Sequence, residues 1–231
     1  MSKHGKLYRD ARNRIEERDY SLDEVVALLK EIKRPNFVES VDISIRLGVD
    51  PKYPEQNVRG TVALPHGTGR QVRVLVIAAG EKIKEAEEAG ADYAGGEEMV
   101  EKIQSENWLD FDTVVTTPDM MRHVGKLGKV LGPKGLMPSP KAGTVTFNLK
   151  ETVEEIKKGR VEFKVDKTGI INSSVGKIDF DDAQIADNVR SFVQAVLKAR
   201  PASLKGRYVR SMYLSTTMSP GVKLSLQDFE N

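Results

Sequence analysis

The sequence predicts an α+β domain built from both ends of the chain, with helices on an antiparallel sheet, and an inserted three-layer α/β domain of the Rossmann-like type. Two observations predict this fold class. Segments near both ends alternate apolar and polar residues, as strands with one face in water do. The middle of the chain instead has a continuously apolar strand followed by alternating helices and strands. We expect the discontinuous domain at residues 1–66 and 160–231, and the inserted domain at residues 67–159.

The first part of the chain predicts one helix and two strands. Residues 21–33 open with Ser-Leu-Asp-Glu, a capping box, and carry apolar residues at helical spacing until Pro35 prevents continuation. Residues 41–47 and 58–64 alternate apolar and polar side chains. Each predicts a strand with one wet face, which is typical of an open antiparallel sheet.

The middle of the chain has a different pattern. Residues 72–79 are nearly all apolar, which predicts a strand buried on both faces. The following segments predict helices at residues 81–89, 97–105, 119–125 and 151–158, and a strand at residues 113–116. Strands that alternate with helices are typical of a parallel sheet with helices on both sides.

The last part returns to strands with one wet face. It predicts a strand at residues 161–165, a turn at residues 166–169, a strand from Ile170, a helix at residues 181–198 and a strand at residues 207–217. The two chain crossings between the domains, at residues 65–69 and 158–159, both contain glycine. They predict a two-strand hinge that permits opening and closing while it restricts twist.

Charge is segregated along the chain, although the formal net charge is only +2. Residues 81–112 hold eleven acidic and three basic side chains. Residues 188–227 hold seven basic and no acidic side chains, and residues 122–141 hold five Lys and Arg without any Asp or Glu. Acid-free patches suit the neutralisation of phosphates, but a solvated face that aids solubility explains any single patch equally well.

Composition narrows the class of protein. No run of about 18 apolar residues occurs, and the polar, basic N-terminus lacks the apolar core of a signal peptide, so we expect a cytoplasmic protein. The absence of cysteine excludes thiolate metal ligands, disulfides and a cysteine nucleophile. The histidines His4, His66 and His123 lack partners at metal-ligand spacing, so we predict no metal site.

No motif for catalysis or nucleotide binding is present. Gly67-Thr68-Gly69 lacks the third glycine of a dinucleotide fingerprint and precedes a strand instead of following one. No spacing matches a phosphate-binding loop or a nucleophile elbow. We therefore predict a protein that is not an enzyme and has no cofactor. The alternative is an enzyme of the α/β domain that acts on a phosphorylated ligand, with residues 131–144 as a lid.

One loop carries more information than the rest. Residues 131–144, LGPKGLMPSPKAGT, hold three prolines and three glycines together with two lysines, and shaped loops of this kind usually have a function. With residues 57–67 (NVRGTVALPHG), 81–93 (EKIKEAEEAGADY) and 215–220 (STTMSP), this loop resembles the ribosomal protein L1 family. The resemblance runs from about Lys3 to Val222.

The resemblance implies a discontinuous first domain, an inserted second domain and a hinge, in agreement with the pattern of strands and helices. It also implies direct binding of large-subunit ribosomal RNA, mainly through the first domain. A mobile stalk involved in the release of exit-site tRNA, and repression of the protein's own operon messenger RNA, are further expectations. Repression away from the ribosome is an alternative that the sequence cannot separate from the first role.

By position, the resemblance assigns RNA contacts to Phe37, Asp166, Lys167, Thr168, Gly169, Thr217, Met218 and Ser219. Thr217 shares strand parity with Ser211 and Ser215, which predicts a hydroxyl-bearing face able to contact phosphates and 2′-hydroxyls. In the inserted domain, Lys134 and Lys141 are candidates to face exit-site tRNA.

Three of these positions have an alternative role. Phe37 follows Pro35-Asn36, so it is either exposed for contact with ribose or a base, or packed in the core beside the strand at residues 41–47. Lys167 is alternatively a solvated turn residue, and Met218 an ordinary packing residue. Ser219 stands where the family usually has glycine, which puts in question a close backbone approach or a positive φ there.

Overall fold

The computed structural model describes residues 5–32 and 36–229. The chain divides into two compact units. The first contains the residues up to Gly69 and those from Val161 onward, and the second is Arg70–Arg160. No helix among the described residues is long and apolar enough to cross a membrane.

The described residues form helices and strands in the following order along the chain. The helices are α1 (Lys6–Asn13), α2 (Leu22–Ile32), α3 (Glu81–Glu88), α4 (Glu97–Glu106), α5 (Met121–Val124), α6 (Gly128–Leu131), α7 (Leu149–Lys157) and α8 (Asp182–Lys198). The strands are β1 (Ser40–Leu47), β2 (Arg59–Ala63), β3 (Val74–Ile77), β4 (Tyr93–Gly95), β5 (Thr113–Thr116), β6 (Arg160–Lys164), β7 (Ile170–Lys177), β8 (Val209–Thr216) and β9 (Val222–Leu224).

The first unit is built on a four-stranded antiparallel sheet with the order β7-β1-β8-β9. Every second residue of β1 is buried, from Val41 to Leu47, and these side chains join one hydrophobic core with α2 and α8. Phe192 of α8 is fully buried in this core and meets the Phe163 ring edge-on at 5.6 Å. Burial of each such side chain contributes about 1.5–3 kcal/mol, so this core fixes which face of the sheet remains outside.

The strand predicted at residues 58–64 does not join this sheet. As β2, it pairs with β6 in a separate two-stranded sheet. Its apolar residues nevertheless lie on the core side as expected, since Val58 and Leu64 are buried in the core of the first unit and Val62 packs against it. Gly60 packs closely against β6, because a Cβ atom at this position would come within 2.7 Å of the Phe163 ring.

The second unit is a three-stranded parallel sheet with the order β4-β3-β5. All four residues of β3 are fully buried, as the apolar run predicts. Leu75 and Ile77 pack against α4, α5 and α6 on one side, while Val74 and Val76 pack against α3 and α7 on the other. The unit therefore has three layers, with the sheet between two layers of helices.

Several elements differ from the predictions. The helix expected at residues 119–125 is a series of short α and 3-10 turns, because Gly125 and Gly128 weaken a continuous helix there. Four of the helices and strands were not predicted at all, namely α1, α6, β4 and β9. The two strands are only three residues long, and β4 consists of Tyr, Ala and Gly, which give little strand signal.

The first chain crossing is held by α8. The buried Asn188 side chain accepts the His66 N–H at 3.1 Å and donates to the Gly67 carbonyl at 2.9 Å. A Cβ atom on Gly69 would come within 2.8 Å of a β7 side chain. This segment therefore belongs to the first unit, and the boundary expected after residue 66 lies after Gly69.

The second boundary lies after Arg160, one residue later than expected. The Arg160 guanidinium donates to the Ala142 carbonyl at 3.1 Å and to the Glu155 carboxylate at 2.7 Å. Both partners belong to the second unit, so this side chain is part of that unit.

Candidate nucleic-acid interface

The outer face of the four-stranded sheet is polar. Strand parity places Ser40, Asp42, Ser44 and Arg46 of β1 on the side away from the core. Antiparallel pairing then aligns them with polar residues of the neighbouring strands, except that Arg46 pairs with Ile170 on β7. We call this surface the polar face; it comprises Ser40, Asp42, Ser44, Arg46, Asn172, Ser174, Ser211, Tyr213, Ser215 and Lys223.

Across the centre of the polar face, four residues lie side by side. Asn172, Ser44, Tyr213 and Lys223 occupy paired positions on β7, β1, β8 and β9. The Ser44 hydroxyl donates to Asn172 Oδ1 at 2.7 Å, which leaves the amide N–H groups of Asn172 available. The row therefore offers a hydroxyl, an amide and an exposed aromatic ring to a ligand, while the Lys223 ammonium is already paired with Asp19 at 2.6 Å.

At one end of β1, a buried carboxylate shapes the chain after β8. Glu39 is 1% exposed, and its Oε1 accepts the Thr216 hydroxyl at 3.1 Å and the Met218 N–H at 2.8 Å. The Thr217 hydroxyl accepts the Ser40 N–H at 3.2 Å. These bonds fix the loop so that the Met218 side chain projects outward, with 62% of the residue exposed.

Phe37 lies at the same end, two residues before Glu39. It is 50% exposed and its neighbour Val38 is 46% exposed. Phe37 is therefore not the core residue of the alternative interpretation. With Met218, it gives this end of the polar face an apolar, exposed character.

Ser219 adopts an ordinary backbone conformation. Asn107 is the one non-glycine residue with positive φ in the described ranges, so serine meets no backbone strain at position 219. Its hydroxyl accepts the Thr216 N–H at 2.8 Å and donates to the Pro220 carbonyl at 3.1 Å. The serine side chain thus turns back onto its own loop.

At the other end of β1, Asp166 organises the turn between β6 and β7. Asp166 Oδ1 accepts the Thr168 hydroxyl and N–H, both at 2.7 Å, and the Ile170 N–H at 2.9 Å. Partial desolvation raises the pKa of Asp166, but these hydrogen bonds outweigh it, so the pKa lies below its ordinary value. Gly169, with φ of 80°, closes the turn, and its carbonyl accepts the Leu47 N–H at 2.8 Å.

This second end is positively charged. Arg46, Lys167 and Arg210 are exposed, and none forms an ion pair with another residue in the described part of the chain. Arg210 lies against Gly48, where a Cβ atom would be 3.5 Å from its Nε. Unpaired guanidinium and ammonium groups at an exposed edge suit the binding of phosphates.

The structure divides the predicted RNA contacts into two groups. Phe37, Thr217, Met218 and Ser219 lie at the Ser40 end of β1, whereas the turn at residues 166–169 lies at the Leu47 end. Seven residue steps of about 3.3 Å separate these ends, or roughly 23 Å. Ser215 and Ser211 lie on the polar face between them, opposite Asp42 and Arg46 respectively.

The sequence predictions missed several residues of this surface. Asp42, Ser44 and Arg46 were visible only as the wet side of a strand, and nothing in the sequence showed that Asn172 and Ser174 pair with them. Glu39 gave no signal, because its partners are 177 and 179 residues away in the chain.

Lys134 and Lys141 lie in the second unit. Both are exposed on a loop that hydrogen bonds close, from Ser139 N–H to Thr144 Oγ1 at 2.8 Å and from Thr144 N–H to the Ser139 carbonyl at 3.2 Å. The loop thus has a defined shape that presents two lysines to solvent.

The histidines do not form a metal site within the described residues. His66 lies 3.3 Å from Asp187, and His123 lies 3.3 Å from Glu97, so each has a single carboxylate partner. No group of three or more metal-ligating side chains occurs in residues 5–32 and 36–229. His4 lies outside these ranges.

Comparison with known proteins finds one family and relatives that all share one name. The pattern of the ribosomal protein L1p/L10e family matches residues 28–220. A protein of Solibacter usitatus named large ribosomal subunit protein uL1 is 55% identical over 227 residues, which cover 98% of this chain and 96% of the relative. Proteins of the same name from Persephonella marina and Thermus thermophilus are 55% and 54% identical, over 98% and 97% of this chain and 95% and 99% of the relatives. The chain therefore belongs to the ribosomal protein L1p/L10e family.

Proposed function

We propose that this protein is a structural constituent of the large ribosomal subunit and binds its ribosomal RNA directly through the polar face of the first unit. The observation that carries the proposal is the polar face itself. It is a sheet surface of hydroxyl and amide groups, with exposed apolar side chains at one end and, among the described residues, cations without an ion pair at the other. The names of the relatives support the assignment to the large subunit.

The chemistry of the polar face suits structured RNA. Serine hydroxyls and the Asn172 amide bind phosphates and 2′-hydroxyls without selecting a base. Phe37 and Met218 can pack against ribose or a splayed base. Arg46, Lys167 and Arg210 neutralise phosphates at the far end. Recognition would therefore depend on the shape of an RNA that reaches both ends.

We assign a different role to the second unit, that of a mobile stalk which contacts exit-site tRNA during its release. Residues 70–158 contain thirteen basic and fifteen acidic side chains, which is a poor balance for a principal rRNA anchor. Its acid-free segment at residues 122–141 nevertheless includes the exposed Lys134. Connection to the first unit through two chain crossings allows motion while it limits twist.

The same face can serve a second RNA. A messenger RNA of the protein's own operon that reproduced the bound shape would compete with ribosomal RNA, and binding would repress translation. We include this role because binding by shape does not depend on the source of the RNA.

The proposal predicts different salt dependence for two substitutions. Met218→Ala is expected to weaken binding to large-subunit rRNA by about 1–3 kcal/mol with an unchanged slope of log affinity against log salt, since no phosphate contact is lost. Lys167→Ala is expected to make the slope shallower by about one unit, because it removes one cation. Binding titrations at several salt concentrations measure both effects.

Leu7→Ala is the matched control for Met218→Ala, because both residues are 62% exposed and Leu7 lies on α1. It should leave affinity unchanged. A Met218→Ala protein that binds as tightly as the control, with wild-type thermal stability in both, would remove Met218 from the interface.

The stalk assignment predicts a selective loss. Replacement of both Lys134 and Lys141 with alanine is expected to reduce affinity for tRNA more than affinity for rRNA, with both measured at one salt concentration. Lys84→Ala, an exposed lysine on the acidic helix α3, is the control and should change neither affinity appreciably. A larger loss for rRNA than for tRNA would reverse the assignment.

A further inference from the structure

Asp42 is an acidic side chain in a surface that is otherwise suited to phosphates. It lies on β1, between Ser174 of β7 and Ser215 of β8 in the paired register. It is half-buried, and it is two residues from Ser40, at the end of β1 where Met218 lies. A carboxylate at this position would repel a phosphate, so its presence requires another explanation.

The carboxylate of Asp42 is poorly compensated within the protein. Partial burial raises its pKa above the ordinary value, and a hydrogen bond from Ser174 and the charge of Lys177 only partly offset this effect. Ser174 Oγ also donates to the Val41 carbonyl oxygen at 3.4 Å, so its single hydrogen is shared between two acceptors, and the Lys177 ammonium donates to the Ser40 hydroxyl at 2.9 Å. Among the described residues, Ser174 is thus the one hydrogen-bond donor to the carboxylate, and most of its roughly four lone-pair positions have no donor from the protein.

An RNA that covered the polar face would remove water from these positions. Desolvation of a carboxylate is costly unless a hydrogen-bond donor replaces the water. Phosphate oxygens only accept hydrogen bonds, so the donors available on RNA are the ribose 2′-hydroxyl and the N–H groups of the bases. Ser215, beside Asp42, can donate to the oxygen of the same 2′-hydroxyl.

We propose that Asp42 is a specificity-determining residue that accepts a hydrogen bond from an RNA donor, either a 2′-hydroxyl or a base N–H. The inference rests on the proposed function, because it requires RNA on the polar face. Asp42 would give the polar face a group that recognises hydrogen-bond donors of the RNA, in addition to the groups that bind phosphates.

The test is the affinity of Asp42→Asn for large-subunit rRNA. The two side chains have nearly the same shape, so the change removes the negative charge and half of the acceptor capacity. We expect binding to weaken by about tenfold, with an unchanged salt slope, since a charge-assisted hydrogen bond is lost while no cation is. If the carboxylate merely repels phosphates, Asp42→Asn binds more tightly. Equal or tighter binding would overturn the proposal.

Two controls keep the result interpretable. Glu55→Gln removes the same charge from an exposed residue outside the sheet and should change affinity less than twofold. Asp42→Ser, which replaces the carboxylate with a hydroxyl, should also weaken binding and serves as the second variant if Asp42→Asn is unstable. If Asp42→Asn, Met218→Ala and Lys167→Ala all leave affinity unchanged, the proposed interface itself is wrong. If Met218→Ala and Lys167→Ala weaken binding while Asp42→Asn does not, only the proposed role of Asp42 is wrong.

Substituted RNA identifies the donor. Chemical footprinting of the complex first identifies the nucleotides that the protein protects. A synthetic RNA of this region is then prepared with 2′-deoxyribose at single protected nucleotides, or with inosine in place of single protected guanosines. The substitution that removes the donor should weaken binding of the wild-type protein about tenfold and should have little further effect on Asp42→Asn. Additive losses at every position would contradict a shared hydrogen bond.

Discussion

Glu39→Ala is expected to lower the free energy of unfolding by about 3 kcal/mol and to abolish specific binding of ribosomal RNA. The substitution leaves the buried Thr216 hydroxyl and the Met218 N–H without their acceptor, and each unpaired buried group costs about 1–3 kcal/mol. Loss of the same bonds releases the loop that presents Thr217 and Met218. Urea denaturation and rRNA titration of one protein preparation measure the two effects together.

Glu39→Gln separates hydrogen bonding from charge. The amide retains an oxygen that can accept from Thr216 and Met218, so stability and affinity should both fall less than in Glu39→Ala. If Glu39→Ala remains stable and binds RNA like the wild type, the loop does not depend on this carboxylate.

The second large effect is expected at Asn188. Besides the His66 N–H and the Gly67 carbonyl, this fully buried amide donates to the Val175 carbonyl at 2.8 Å. Asn188→Ala leaves all three groups unpaired and is expected to cost about 3–5 kcal/mol in the free energy of unfolding. Denaturant titration of the full-length chain, followed by far-ultraviolet circular dichroism, tests this value.

Asn188→Asp tests the direction of the hydrogen bonds. It has the same shape, but it places a carboxylate oxygen against two carbonyl oxygens, so it should destabilise the protein to a similar extent. Gln194→Ala, an exposed position on the same helix, is the control and should stay within about 0.5 kcal/mol of the wild type. A small effect of both Asn188 variants would mean that water replaces the amide without penalty.

The sequence predicted those parts of the fold that local patterns encode. The apolar run that became β3 and the capping box before α2 are examples, and in the capping box the Ser21 N–H donates to Glu24 Oε2 at 2.9 Å. It did not predict β4 or β9, where three residues are too few to establish a period. It also gave no sign of what holds Gly67, because the side chain that donates to its carbonyl comes from α8, 121 residues later.

For the candidate interface, the resemblance supplied residues but not their arrangement. Met218 and Phe37 are exposed and therefore accessible for the expected contact with RNA. Thr217 also has a structural role, since its hydroxyl accepts the Ser40 N–H. Thr217→Val would therefore affect the loop as well as any RNA contact. Such couplings arise from contacts between distant segments, which strand parity alone cannot show.

The position of β1 between β7 and β8 also determines when the protein becomes functional during its synthesis. Val41 pairs with Gly176 on one side and with Thr216 on the other, so β1 emerges from the translating ribosome long before either neighbour exists. A nascent chain therefore holds an unpaired, half-apolar strand while the whole second unit is made and can fold. The polar face is complete only after β8 has been made and has paired with β1, so the RNA binding that we propose for this face requires nearly the whole chain.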